Sequence, residues 1–199
     1  MDIRKIISEE ERERIKKRNL RIMSIILAAI MLFSSLGYFA SDLFTAKTPS
    51  IDYNGLKFTQ TEYGTWAFSA NDKNFETKFN PEQTKDVSNI LIKNLQDYYN
   101  QPLYFGADST SEVSSLGNAE ITRNLAQFIV KAQLSCITNN CLEDNPIKNC
   151  SSDNVIIFKS SALNITRIGE DDDCVILEYS PGEEELIADA FLFKIFGIN

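Results

Sequence analysis

CVILEYSPGEEELIADAFLFKIFGIN, residues 174–199, is the stretch on which the fold of this chain turns. Its first six residues, rich in β-branched and aliphatic side chains, predict a strong core strand. Ser180 and Glu183 then stand at capping-box spacing, with Pro181 at the first helical position. Three acids, Glu183 to Glu185, complement the positive end of the helix dipole, and Gly197 is placed to stop the helix. The last two turns are apolar almost all round, so the helix is expected to be buried. One charge interrupts it. Asp189 falls within the apolar part, and a buried carboxylate needs a partner; Arg123, Arg167 and Lys194 are the candidates, with Asp189–Arg123 put first. With no second carboxylate evident beside it, the reading is a structural ion pair rather than a catalytic acid.

Working back from that stretch, NVIIFK (154–159) predicts another strand, with a middle strand over Leu163–Ile168. Before it, Ile121, Leu125, Phe128, Ile129, Ala132 and Cys136 fall along one helical face, so a helix capped by Asn118 is expected to run to Cys136. PLYFG (102–106) reads as a buried strand and STSEVSSLGN as a loop. Asn80-Pro81-Glu82-Gln83 is a helix start, and Val87, Ile90, Leu91 and Leu95 extend it over about 81–97; the competing parse is one helical turn and then a strand at Asn89–Ile92. Three alternating runs precede it: GLKFTQ, TWAFS and NFETKFN, separated by the turn compositions TEYG and ANDKN. They predict a three-stranded antiparallel meander whose aromatic face packs on the rest of the domain. The expected fold class is α/β or α+β: the meander, then a mixed sheet covered by about three helices and stapled by disulfides.

The N-terminal fifth is of a different kind. IMSIILAAIMLFSSLGYFAS, residues 22–41, is twenty residues without a charge. As a helix it measures about 30 Å, the thickness of a bilayer's hydrocarbon core. Arg12, Arg14, Lys16, Lys17, Arg18 and Arg21 precede it against the single acid Glu13, and Asp42 follows it. By the positive-inside rule the N-terminus is cytoplasmic and the C-terminal domain extracytoplasmic, with Tyr38 and Phe39 at the outer interface. Ser35 and Gly37 suit a signal-peptide cleavage site, but the uncharged run continues beyond them, so an uncleaved single-pass anchor in the cell membrane is preferred. The organisation expected is a charged cytoplasmic segment over 1–21, a transmembrane helix over 22–41, a tether over 42–50 and the extracytoplasmic domain over 51–199. Glu10–Arg14 and Glu13–Lys17 at i,i+4 favour a helical lead-in to the span.

Charge and composition narrow the function classes. Residues 1–21 carry a net +3 and residues 22–199 a net −11, so the larger part of the chain repels phosphate backbones and nucleic acid is not expected as a partner. Histidine is absent, which removes histidine triads, histidine-ligated metals and the usual near-neutral proton shuttle. No Gly-rich phosphate loop or nucleophile elbow is present. Neither a cofactor nor a metal is expected. The expected partners are membrane lipid along residues 22–41 and a protein in or outside the membrane.

The four cysteines, Cys136, Cys141, Cys150 and Cys174, lie on the extracytoplasmic side by this topology and imply two disulfides. With Cys136 at the end of a helix and Cys174 opening a core strand, Cys136–Cys174 with Cys141–Cys150 is preferred. Cys136–Cys141 with Cys150–Cys174 is the close second. No C-x-x-C exists, which argues against both a thioredoxin-like centre and a zinc site. Glu170 to Asp173 offers hard oxygen ligands for Ca²⁺ but lacks the spacing of a calcium loop, so a solvated hairpin tip is preferred. Asn149-Cys150-Ser151 and Asn164-Ile165-Thr166 match the glycosylation acceptor pattern.

The reading preferred from these features is an anchored extracytoplasmic interaction or accessory protein, leaning away from an enzyme. The alternatives are a membrane-tethered thiol oxidoreductase or histidine-free hydrolase, and a pilin-like envelope subunit. The last resembles this chain in layout alone, over about 40 residues: no Gly or Ala stands at the processing point after Arg18, and no Glu follows five residues into the apolar run.

Overall fold

The computed structural model describes residues 9–44, 48–107, 114–138 and 144–198; within the first helix, side chains are described as far as Ser34. The chain divides into two compact units, Met1–Lys47 and Thr48–Asn199.

The described residues of the first unit form one helix, α1 (Glu9–Phe44), opened by Glu9, Glu10 and Glu11 where the dipole favours acids. The charged lead-in and the uncharged run are therefore continuous. Ten large apolar side chains from Leu20 to Phe33 are each 48–75% exposed. Among the described residues no helix is long and apolar enough to cross a membrane, so the anchor expected over 22–41 lacks their support. Residues 35–41 of that run lie outside the described side chains.

The second unit is α+β and begins with a four-stranded antiparallel sheet in sequential order. Its strands are β1 (Ser50–Tyr53), β2 (Leu56–Gln60), β3 (Trp66–Ala70) and β4 (Lys73–Thr77). A three-strand meander is thus corrected to four, and Ser50, assigned to the tether, opens β1. The missed hairpin turns on Asn54-Gly55, whose φ angles of 48° and 80° are those of a two-residue turn that matches strand twist. The aromatic face packs inward as expected: Phe58, Trp66, Phe68 and Phe75 are buried, with Phe58–Phe68 ring centroids 4.6 Å apart.

Asn80 and Gln83 form their capping box, and Pro81 opens α2 (Pro81–Thr84). The helix expected over 81–97 stops there after one turn. Ser88–Asn89 instead forms β5 beside residues 167–168, and the amide of Ile90 extends that pairing by donating to the Ile168 carbonyl. The competing parse, a turn and then a strand, comes nearer the truth. A second capping box, Asn94 with Asp97, opens a 3₁₀ turn over Leu95–Tyr98.

The larger sheet adds β6 (Pro102–Ala107), β7 (Lys131–Cys136), β8 (Asn154–Ser160), β9 (Arg167–Asp171) and β10 (Cys174–Tyr179), in the order β5-β9-β10-β8-β6-β7. It is mixed: β10, β8, β6 and β7 run parallel, and β9 is antiparallel to β10. The middle strand expected at Leu163–Ile168 is displaced towards β9. The helix expected to reach Cys136 is corrected too. α3 (Ser115–Leu125) is capped by Ser114, not Asn118, and gives way to β7. Backbone bonds from Asn100 to Phe128 and from Val130 to Gln101 fasten the chain to the start of β6, so pairing with β6 overrides helical spacing beyond Phe128.

α4 (Glu184–Ile195) also starts later than expected. The Glu183 amide closes a turn on the Ser180 carbonyl, and the Ser180 hydroxyl meets that of Thr166, so no Ser180 side-chain cap forms. Gly197, at φ 71°, does end the helix: its amide bonds the Lys194 carbonyl and that of Ile198 bonds Phe193. Phe193 reaches the small sheet at Phe58 and Phe68, while Phe191 meets Tyr98 edge-on at 5.9 Å. Each such buried side chain contributes roughly 1.5–3 kcal/mol of hydrophobic stabilisation.

The small sheet ends at β4 without an exposed ladder there. The Asn124 side chain on α3 accepts from the Glu76 amide at 3.1 Å and donates to the Glu76 carbonyl at 2.9 Å, as a neighbouring strand would. Gly117 lets α3 lie close on the large sheet: a Cβ there would stand 2.3 Å from the buried Phe158 ring.

Candidate functional site

An open cleft of about 620 Å³ lies at the amino ends of β6, β8 and β10, closed on its other sides by the β9–β10 turn and the chain around Lys93. Ligands of open α/β sheets usually sit at the carboxyl ends of parallel strands, so this one is at the opposite edge. Asp97, Asp153, Glu170, Asp172 and Asp173 line it, with Lys93 as the lysine among them. Several of these groups hold the cleft walls. The Glu170 carboxylate accepts from the amides of Ile92 and Lys93, each at 3.3 Å. The Lys93 ammonium donates to the Asp173 carbonyl at 2.5 Å and to Asn154 at 3.4 Å. Asp97 takes the Asn94 amide at 2.8 Å. Asp153 is paired at 2.9 Å with Lys148, whose ammonium also lies 4.1 Å from the Tyr104 ring centroid. The Lys148 hydrogen bond holds Asp153 below the usual carboxylate range, and Asp153 in turn raises Lys148. The cleft is thus predominantly acidic.

Its two walls are joined covalently. Cys150 is bonded to Cys174, tying the residues before β8 to the start of β10. The preferred Cys136–Cys174 pairing is therefore corrected; the second connectivity contains the bond observed. The cause is local: Cys136 sits at the end of β7, not of the helix on which the first choice relied. Cys136 is also disulfide-bonded, and Cys141 lies outside the described residues.

Glu170 to Asp173 form the β9–β10 hairpin tip, with Cys174 paired to Asp171. Among the described residues no group of three or more His, Cys, Asp or Glu side chains is placed to hold a metal. Asn149 and Asn164 are both exposed. The Asn149 carbonyl oxygen accepts from the Ser151 amide and hydroxyl, each at 2.9 Å. Beyond Asn164, the Thr166 hydroxyl is taken up by Ser180 and Glu183.

Asp189 is fully buried, as expected, but its partner is not Arg123. Its Oδ2 accepts from the Phe79 amide at 2.8 Å. The charged group facing it is the carboxyl of Glu120 on α3, 4% exposed and within hydrogen-bonding reach. Arg123 belongs to Glu120 instead, at 2.7 Å, and also donates to the Glu76 carbonyl. Arg167 is paired with Glu178 at 2.6 Å. Burial first, and the neighbouring Glu120 second, push Asp189 well above the ordinary carboxylate range; burial also raises Glu120. Sequence reasoning missed Glu120 by treating the charged side of α3 as solvated. The signal was available in Gly117, Glu120, Ile121 and Asn124, whose i, i+3, i+4, i+7 spacing is that of the buried face.

No protein-family model, no curated protein and no solved structure matches this chain.

Proposed function

We propose that the chain is a single-pass membrane-anchored protein whose extracytoplasmic α+β domain docks a protein partner through its acidic cleft, as an interaction or accessory subunit. The observation that carries the reading is the apolar surface of α1. Ten large apolar side chains between Leu20 and Phe33 stand open to the surroundings, a surface that a chain in water would cover and that lipid accommodates. The uncharged run continues to Ser41, and the six basic residues before it against Asp42 after it support a cytoplasmic N-terminus. Bonded cysteines accord with a domain outside the reducing cytoplasm. The cleft favours a cationic segment of the partner, since five carboxylates line it against Lys93.

Site-directed photo-crosslinking in intact membranes tests this. A crosslinking residue placed at Asp172, at the cleft, is expected to trap a discrete adduct, weakened by high salt. The same residue at Tyr63, 79% exposed on the small sheet, serves as the control. A chain that remains uncoupled from both positions at its native abundance would overturn the docking role.

A further inference from the structure

We propose that Glu120 and Asp189 share one proton across the α3–α4 interface, and that this proton is a latch: held, it joins the two helices; lost as pH rises, it frees α3. The inference rests on the accounting of charge and hydrogen bonds around two buried carboxyls, with the Arg123 side chain 48% exposed at the edge of the site. Two carboxyls with 4% and 0% exposure lie together, and the guanidinium of Arg123 is bonded to one of them, that of Glu120. Two carboxylates against one guanidinium leave a net buried negative charge, whereas one retained proton makes the site neutral.

The hydrogen bonds say which oxygen carries it. Glu120 is already an acceptor, its two oxygens each 2.7 Å from Nη2 of Arg123. Asp189 Oδ2 is an acceptor too, for the Phe79 amide. Asp189 Oδ1 is buried with no partner among the protein's ordinary donors. A proton on Oδ1 turns that orphaned atom into a donor to Glu120 and completes the site. Burial raises both carboxyls above the ordinary range, in keeping with one retained proton.

Other charged groups around the pair do not take over this role. On α4, Glu185 adds negative charge near Glu120. From β4 and the residues after it come a carbonyl, that of Glu76, and the amides of Lys78 and Phe79, while the Lys78 side chain is exposed. On α2, Glu82 and Lys85 are exposed. Arg167 and Glu178, on β9 and β10, neutralise each other. Loss of the proton therefore leaves one negative charge more than Arg123 balances, and so repulsion between α3 and α4. Because the folded carboxyl titrates above its unfolded value, stability is fully present below the ordinary carboxylate pKa. It declines as pH rises from there through the folded value.

The test compares the full chain in detergent with Asp189→Asn, whose amide can accept from Phe79 and donate to Glu120 without a titrating proton. Chemical unfolding is followed from pH 5 to pH 9. Relative to the variant, the wild-type unfolding constant should rise up to about tenfold per pH unit while Asp189 stays protonated, the slope of one linked proton. Parallel pH profiles would overturn the proposal. Should the variant fail to fold, the carboxyl ¹³C shift of Asp189 in the wild-type chain decides: a protonated shift at pH 7 supports the shared proton, and a carboxylate shift overturns it. The latch itself is read by hydrogen exchange. After correction for intrinsic rates, amides of α3 should accelerate with pH ahead of those of β8; acceleration of both together would mean the proton merely stabilises the domain.

Discussion

Replacing Phe191 by alanine should destabilise the α+β unit by about 3–5 kcal/mol, the range for deleting a large aromatic side chain from a core. Phe191 is fully buried in the middle of α4, among Ile187, Ala188, Leu192 and Ile195, and meets the buried Tyr98 ring edge-on. Part of the loss is the transfer of the ring and part is the cavity left behind. The cavity term should be near its upper end, because α4 is buried along most of its length and cannot slide inward without breaking the Phe193 contacts to Phe58 and Phe68. Urea unfolding monitored at Trp66, itself buried on the small sheet, measures it. Ile92→Ala, at a side chain 86% exposed, should leave the midpoint within about 0.5 kcal/mol of wild type.

The second large effect is expected at the cleft. Removing the Cys150–Cys174 bond with Cys150→Ser and Cys174→Ala should cost about 3 kcal/mol on the chain-entropy relation, given the 24-residue separation of the two cysteines. Alanine is preferred at position 174 because Cys174 is fully buried and a serine hydroxyl there would need a partner. The loss should not be confined to global stability. Ser151 to Asn154 and Asp172 to Asp173 line opposite sides of the cleft and flank the two cysteines, so hydrogen exchange should rise first at these segments. Unfolding with and without reductant checks the magnitude: reductant should lower the midpoint of the wild type and, at this bond, have nothing left to break in the variant.

How far the fold could be read from the residues depended on whether local and distant forces agreed. NVIIFK and CVILEY were legible because runs of β-branched residues near a mixed sheet's centre satisfy propensity and burial together. Asn80-Pro81-Glu82-Gln83 was legible because a capping box is specified within four residues. The length of the helix after it was not, since pairing of Ser88–Asn89 with β9 depends on residues nearly eighty positions away. The same competition hid β7. Ile129, Ala132 and Cys136 continue the helical spacing of α3, yet the open hydrogen-bonding edge of β6 makes a strand the better use of them. That one error carried into the disulfides, because the preferred pairing assumed Cys136 at a helix end.

Asp189 illustrates what a single chain of letters conceals. Its burial follows from the apolar helix around it, but its partner does not, because nothing in the spacing of the residues brings Glu120 beside it. A second carboxyl with one proton between them is a remedy for burial other than opposite charge, and it requires a packed helix on the far side that no spacing rule reports.

The sidedness of the two units tests the central proposal most directly. A single cysteine introduced at Glu10 or at Tyr63, both exposed, can be labelled in intact cells with a membrane-impermeant maleimide, because the native Cys136, Cys150 and Cys174 are held in disulfides. An anchored chain with its domain outside predicts that Tyr63→Cys labels on intact cells and Glu10→Cys only after the membrane is opened. Labelling of Glu10→Cys on intact cells with protection of Tyr63→Cys would reverse the orientation, and recovery of both in the soluble fraction would contradict the anchor itself.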